Sequence, residues 1–541
     1  MSNFIKGTMI LTVSIFISKI LGFIYIVPFK ALVGTKGYVL YNYAYQAYIV
    51  FLSLTTMGIP MAVSKYVSKY NELGEHHRGI QLFRSGLKLM LATGIISCTL
   101  LYLLAPRIAL IVIDPNDPTG NSIEDVVFVI RMVSFALLII PAMGIIRGYF
   151  QGHHFMTPTA VSQVVEQIVR IVFILIGGFL VLKVWKGTLS VAVGLATFGA
   201  FVGGLGGMAT LIYYWRKRNT LLAEAQTSKT PVENIGLIPM YKEILSYAIP
   251  FIFIGLAIPM YNVIDTFTIN KALMNIGFQL GQAEQVNGII GLVQKVILVP
   301  VALATAMSLT LIPIITKAYT SKDKQLLQEY ISQAFMVILY LTLPVILFIA
   351  VLSYPVYHFL FVTEVDIGGH ILRWFIPTAL FFALFSVSSS ILQGMNLQRQ
   401  VLISLSLGII IKGISNVPLI MLFKELGPII ATNLGFAISI GFNFFIIHRS
   451  VQGLFKPMLS KLRKILVHSS FILVVLVLIQ FVHDQLSMTE SYLHSVLLLT
   501  VAALITGSLY IFMGIKSNLI FVILGHRLPF LQRFKREKKE E

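Results

Sequence analysis

The sequence predicts an all-α polytopic membrane protein of about 14 transmembrane helices, arranged as two pseudo-symmetric six-helix lobes followed by two C-terminal helices. Three observations predict this: the apolar composition, the length of the apolar runs and the distribution of the cations. Of the 541 residues, 57% are hydrophobic and only 12% charged, about half the charge of a water-soluble domain. A soluble fold of this size has no way to hide so much apolar surface. The runs are close to 20 residues long and lack period-two alternation, which excludes a transmembrane β-barrel.

Taken in order, the runs fall at 7–29, 39–63, 86–112, 126–148, 157–182, 188–214, 246–270, 284–314, 328–352, 370–393, 401–422, 427–447, 463–482 and 492–514. The first has a basic residue ahead of a long apolar stretch and no small-residue cleavage site, so it reads as a retained helix and not a signal peptide. Cys98 lies inside the third run, where it reads as a small hydrophobe; one cysteine provides neither a disulfide framework nor a thiol metal site. The net charge is +19. With the N-terminus in the cytoplasm, 28 Lys and Arg fall on the cytoplasmic side and nine on the other. Such a bias orients a membrane protein, with both termini in the cytoplasm of a bacterial cell, and suits anionic membrane lipids as partners. Nucleic acid is not implied.

The longest polar interruption divides the chain. Residues 1–218 form an N-lobe, 219–241 a cytoplasmic linker, 242–450 a C-lobe, and 451–541 the last two spans with a basic tail. An offset of 242 places Gln151-Gly152 on Gln393-Gly394, Ser162 on Ser404 and Arg170 on Lys412, which reads as an internal duplication.

Four cations remain inside the spans: Lys19, Arg170, Lys295 and Lys412. Each lies some 11–13 residues into its span, near the bilayer centre at 1.5 Å per residue. A charge there costs about 2.5–3.5 kcal/mol, so four cost roughly 12 kcal/mol. Two acids, Glu166 and Asp265, stand against them. Glu166 and Arg170 are spaced i, i+4 and are expected to form a local ion pair. Lys412 shares a helical face with Ser404, Gly408 and Asn416; Lys295 with Asn287 and Gly291; Lys19 lies beside Ser14, Ser18 and Gly22. Close helix packing explains the small residues. The excess of cations instead calls for a hydrated chamber between the lobes, suited to a phosphate-bearing anion. Asn262, Asp265 and Thr266 put three oxygen-bearing side chains within a turn, after Pro250 and Pro259. They suit Na⁺ or H⁺ coupling, or a counter-charge for a lysine. No residue is assigned a catalytic role or a metal-ligand role.

SKILGF (18–23), GIPMAVSKYVSKYN (58–71) and SQVVEQIVR (162–170) resemble the polysaccharide-biosynthesis flippases of the multidrug/oligosaccharidyl-lipid/polysaccharide exporter superfamily. The likeness is closest to the Gram-positive branch of MurJ-type lipid II flippases, with the SpoVB proteins nearby. The resemblance implies a MATE/MurJ-like fold and alternating access. It also implies transfer of an undecaprenyl-pyrophosphate-linked peptidoglycan precursor to the outer leaflet, dependent on membrane potential and in contact with cell-wall synthesis or division proteins. Lys19 falls where that family has a first-helix arginine, and Lys295 serves its eighth-helix role. The second helix here carries Tyr41 and Asn42 with no cation before Lys65, and an expected Arg-Asp pair reads Tyr25-Ile26. The last two spans would hold the lipid tail.

The alternatives are an exporter of a teichoic, capsular or spore-cortex precursor, and a MATE-like ion-coupled drug antiporter, which would need an acidic cavity. A membrane glycosyltransferase would need a catalytic acid on a substantial outer loop, and only Glu364 and Asp366 come close to that. A non-transporting scaffold would have no use for four buried charges.

Overall fold

The structure is a computed structural model and describes residues 3–56, 58–217, 256–451, 455–485, 491–517 and 519. Every regular element among them is helical. The first part of the chain forms α1 (Asn3–Ile24), α2 (Ile26–Thr56), α3 (Ile59–Glu72), α4 (His76–Val112), α5 (Ile123–Ser134), α6 (Ala136–Gly152), α7 (Met156–Phe179) and α8 (Leu189–Lys217). Then come α9 (Ala257–Met274), α10 (Leu280–Thr320), α11 (Lys324–Val351), α12 (Ser353–Phe361) and α13 (Val365–Phe375). The last are α14 (Thr378–Gly394), α15 (Gln398–Phe423), α16 (Gly427–Ser450), α17 (Phe455–Gln485) and α18 (Tyr492–Lys516). Eleven segments among the described residues are long and apolar enough to cross a membrane. Two of these, Val13–Thr56 and Gln398–Ser450, have length for two passes each.

Local chemistry sets the helix ends. Ser122 and Asp125 form a reciprocal capping box at the start of α5, and Asp323 caps α11 through the Leu326 amide. α2 is kinked at Gly34 (φ 69°). Gly58 (φ 82°) ends the expected second span early, and Pro60 starts α3 in its place. Pro259 lies in the first turn of α9, where a missing N–H breaks no intrahelical bond, so among the described residues it marks a helix start and no kink. Pro250 and the 219–241 linker lie outside the described residues.

The 242-residue offset recurs in the backbone. α6 and α14 are both 17 residues long and start and end in register at that offset. Each is preceded by a short helix, α5 or α13, so the fourth and tenth spans are each two helices and not one. After each, a non-glycine residue takes a left-handed conformation: His154 (φ 60°) and Asn396 (φ 61°). Ser162 and Ser404 are both fully buried and donate back to the carbonyls of Thr159 and Val401.

The contacts divide the chain into two compact units, one of residues 1–291 with 416–422 and one of 292–415 with 423–541. In the first, α7 packs along α8 and α1, and α4 along α5 and α6, while α2 lies against α5 and α8. In the second, α14 packs on α16, and α17 and α18 are applied to α11 and α12. Tyr340 of α11 and Tyr510 of α18 stack at 4.6 Å, and each hydroxyl donates to the other's backbone carbonyl. That reciprocal pair ties the last helix to the second unit without exposing a polar group to lipid.

Candidate functional site

The first unit gathers its polar chemistry around Arg170. Tyr38, Tyr41, Tyr45 and Tyr48 recur along α2 at helical spacing and so share one stripe. Tyr25, at the turn between α1 and α2, brings its hydroxyl 3.0 Å from that of Tyr41. Arg170, on α7, donates from Nη2 to the Tyr41 hydroxyl at 3.3 Å, and its guanidinium lies 5.8 Å from the Tyr45 ring centroid. Cation–π contact and hydroxyl acceptance hold a guanidinium without a carboxylate. The Arg170 Nε is enclosed and has no hydrogen-bond partner among the described residues. α7 reaches this depth because Gly203 of α8 has no side chain: a Cβ there would lie 2.8 Å from the Arg170 Cβ and the Glu166 carbonyl.

The expected Glu166–Arg170 ion pair is corrected. Glu166 pairs with Arg147 of α6, whose Nη2 lies 2.9 Å from Oε2, and the Arg147 Nε donates to Ser162 at 2.8 Å. The sidedness of the cations counts Arg147 among the cytoplasmic ones. The geometry prefers it because α6 and α7 form a hairpin that sets Arg147 facing Ser162 and Glu166, one turn apart on α7. Sequence spacing compares neighbours on one helix and misses such a cross-helix partner. The tyrosine cluster was also missed, although the run YNYAYQAY (41–48) carries its signal. Tyr25 and Tyr41 stand where the resemblance showed the cation pattern departing.

The other site residues lie as follows. Lys19 is exposed and Ser18 half-buried on α1, the Ser18 Oγ being enclosed without a partner among the described residues. Lys295 of α10 is half-buried. Lys412 is fully buried in the second unit, its Nζ donating to the Pro428 carbonyl at 2.8 Å and to Thr432 Oγ1 at 2.9 Å. This ammonium is therefore held by a carbonyl and a hydroxyl, a direct account of how it tolerates burial. Asn416, one turn along α15, is fully buried and belongs to the first unit. Its Nδ2 donates to Asp265 Oδ1 at 3.0 Å and to Thr268 Oγ1 at 2.6 Å. Asn262 is half-buried and Thr266 buried on the same helix. Asp265 is thus gathered with Asn416 and Thr268. A groove of about 420 Å³ runs between α17 and α18, lined by Leu478, Ile479, Leu497 and Val501 among others, with His483 and His494 along it.

Comparison with known proteins adds the following. The family model described as polysaccharide biosynthesis protein matches residues 4–319, and the MatE model matches 283–418. The chain is 42% identical over 532 residues, 98% of both chains, to a Bacillus subtilis (strain 168) protein named lipid II flippase MurJ. It is also 30% identical, over 31% of each chain, to stage V sporulation protein B of that organism. A solved structure of lipid II flippase MurJ in an inward closed conformation has the same fold (TM-score 0.61, 15% identity, 93% of this chain and 98% of that one). So does an inward-facing multidrug resistance MATE transporter (TM-score 0.60, 15% identity, 80% and 95%).

Proposed function

The chain belongs to the polysaccharide biosynthesis protein family, and from that membership we propose that it is a lipid II flippase, moving an undecaprenyl-pyrophosphate-linked glycan precursor from the inner to the outer leaflet by alternating access. It is a multi-pass cell membrane protein. The observation that carries the reading is the likeness, over nearly the whole chain, to the Bacillus subtilis flippase. The mechanism follows from the charges. A pyrophosphate loses its hydration on entering the membrane, and fixed cations replace it at least cost when already placed there.

In this reading Lys19, Arg170 and Lys295 meet the head group, with Ser18 beside them. Glu166 and Arg147 hold α6 and α7 in place, and Lys412 stiffens the second unit through Pro428 and Thr432. The prenyl tail follows the groove between α17 and α18, whose apolar lining suits it. With the termini in the cytoplasm, an inside-negative potential drives an anionic head group outward by about 2.3 kcal/mol per charge per 100 mV. Na⁺ or H⁺ at Asp265, beside Asn262, Thr266, Thr268 and Asn416, assists the return of the empty carrier.

The test is complementation of a flippase-depleted strain, with lipid II trapped on the outer leaflet as the direct readout. Lys19→Ala and Arg170→Ala should each abolish complementation while the protein still reaches the membrane. Full activity of both removes the cation assignment. Accumulation of a different lipid-linked glycan in place of lipid II reassigns the cargo.

A further inference from the structure

At one end of the first unit, α4 and α8 carry Arg84, Lys88, Arg216 and Lys217, all four of them exposed. On α4, Arg84 and Lys88 are one turn apart and continue the stripe of exposed Leu91 and Ile95. Exposed apolar side chains begin at Leu91, so Lys88 lies about 5 Å and Arg84 about 10 Å beyond the hydrocarbon, within reach of the lipid head groups. On α8, Ile212 and Tyr213 are exposed, and Arg216 and Lys217 follow one turn later. Lys217 Nζ lies 5.8 Å from the Tyr213 ring centroid. The Trp215 ring stacks on Phe83 with centroids 5.1 Å apart, and lies 5.4 Å from Tyr149 and 5.7 Å from Phe150 of α6. Phe83 and Trp215 each precede an arginine, so this stack holds Arg84 and Arg216 at one edge of the unit. None of the four cations forms an ion pair among the described residues. The acids nearest to α4 in sequence are Glu72, at the end of α3, and Glu75, which Arg78 engages at 2.6 Å.

We propose that this edge is a binding site for an anionic glycerophospholipid of the cytoplasmic leaflet, with Arg84, Lys88 and Arg216 around its phosphate and Trp215 and Tyr213 against its glycerol and upper chains. Depth and charge carry the inference. Sidedness by itself is met by cations anywhere on cytoplasmic loops. These four sit instead at the ends of lipid-facing stripes on regular helices, within side-chain reach of the phosphate plane. A guanidinium offers two parallel N–H donors to a phosphate, and arginines on two different helices approach it from two sides. An indole and a phenol beside them suit the same layer, where an apolar ring and a polar tip are both satisfied. An acidic protein would need the cations to point into water, away from the apolar stripes that they continue. The topology read from the cations puts this end in the cytoplasm, where anionic lipid gives the leaflet its negative potential. A lipid held there bridges α4 and α8 over the end of α6, the helix that carries Arg147.

The chain has three tryptophans, Trp185, Trp215 and Trp374. Trp185 and Trp374 are exposed, so Trp185→Phe/Trp374→Phe leaves Trp215 as the fluorophore at the site. The test is quenching of this full-length protein in nanodiscs by phosphatidylglycerol or phosphatidylcholine bearing a nitroxide high on one chain. Phosphatidylglycerol should be preferred next to Trp215 by about tenfold, and the preference should weaken with salt. Arg84→Gln/Arg216→Gln should bring the two lipids to within about twofold. Lys65→Gln/Lys69→Gln removes the same charge from α3, whose lysines lie over Tyr66 and Tyr70, and should keep most of the preference. Equal quenching by both lipids overturns the proposal. So does an equal loss in the α3 variant, which makes the effect one of net charge. Undecaprenyl pyrophosphate that displaces the label where the same mole fraction of unlabelled phosphatidylglycerol does not gives the site to the cargo, and also overturns it. No transport is measured, so each of these failures leaves the flippase reading standing.

Discussion

Arg170 shows how one residue's surroundings revise what its type implies. An arginine at mid-membrane depth is expected to find an acid, and the nearest acid in sequence is Glu166. In the fold the guanidinium goes to tyrosines on another helix, and Glu166 goes to Arg147. Tyr41→Phe removes the hydroxyl that receives Arg170 and meets Tyr25. A hydrogen bond to a charged group contributes about 1.5–3 kcal/mol. The variant should therefore unfold at lower temperature in detergent and flip lipid more slowly, with Arg170 still present. Arg147→Ala leaves Glu166 in a mostly closed site. Removing one partner of a fully buried pair costs about 3–5 kcal/mol; the pair is 13% and 18% exposed, so about 2 kcal/mol is expected here. Arg147→Ala/Glu166→Ala should recover part of that loss, which a double-mutant cycle on thermal unfolding would read.

At the scale of elements, close approach and capping decide what the apolar pattern leaves open. Gly203→Ala puts a methyl against the Arg170 Cβ and the Glu166 carbonyl, the latter being backbone that cannot step aside. It should displace α7 and cost both stability and complementation. Gly413→Ala meets nothing within 4 Å and should be neutral in the same assays. The start of α10 depends on Asp117, which fills the place of a cap from a distant segment. Because its carboxyl sits below the usual range, its contribution is present above the ordinary carboxyl pKa and is lost as pH falls through its own, lower value. Asp117→Asn should loosen the 113–122 connection at neutral pH, and wild type should approach the variant only at strongly acidic pH. Exchange protection of the Leu280 and Gly281 amides measures this.

At the scale of the whole molecule, the duplication runs deeper than the few matching side chains that first suggested it. Helix bounds, a break ahead of α6 and α14, and a left-handed residue after each all repeat at the same offset. Asparagine tolerates that conformation better than histidine because its short side chain bonds locally. His154→Asn, copying Asn396, should therefore keep activity and hold or slightly raise the unfolding temperature. The division of the contacts is less legible. It falls within α10 after Gly291 and gives 416–422 to the first unit, because packing groups segments by proximity and not by chain order.

Composition and run length were enough to read an all-helical, multi-pass chain, since burial in hydrocarbon constrains every residue of a span in the same way. A few motifs were enough for the family. The partners of the charges were decided only by the tertiary structure. Arg147 with Glu166, Arg170 with Tyr41, Lys412 with Pro428 and Thr432, and Glu284 with Asn121 and Tyr43 are all contacts between helices or with a distant connection. Periodicity along one helix says which face a side chain occupies; which helix meets that face depends on the packing of the fold.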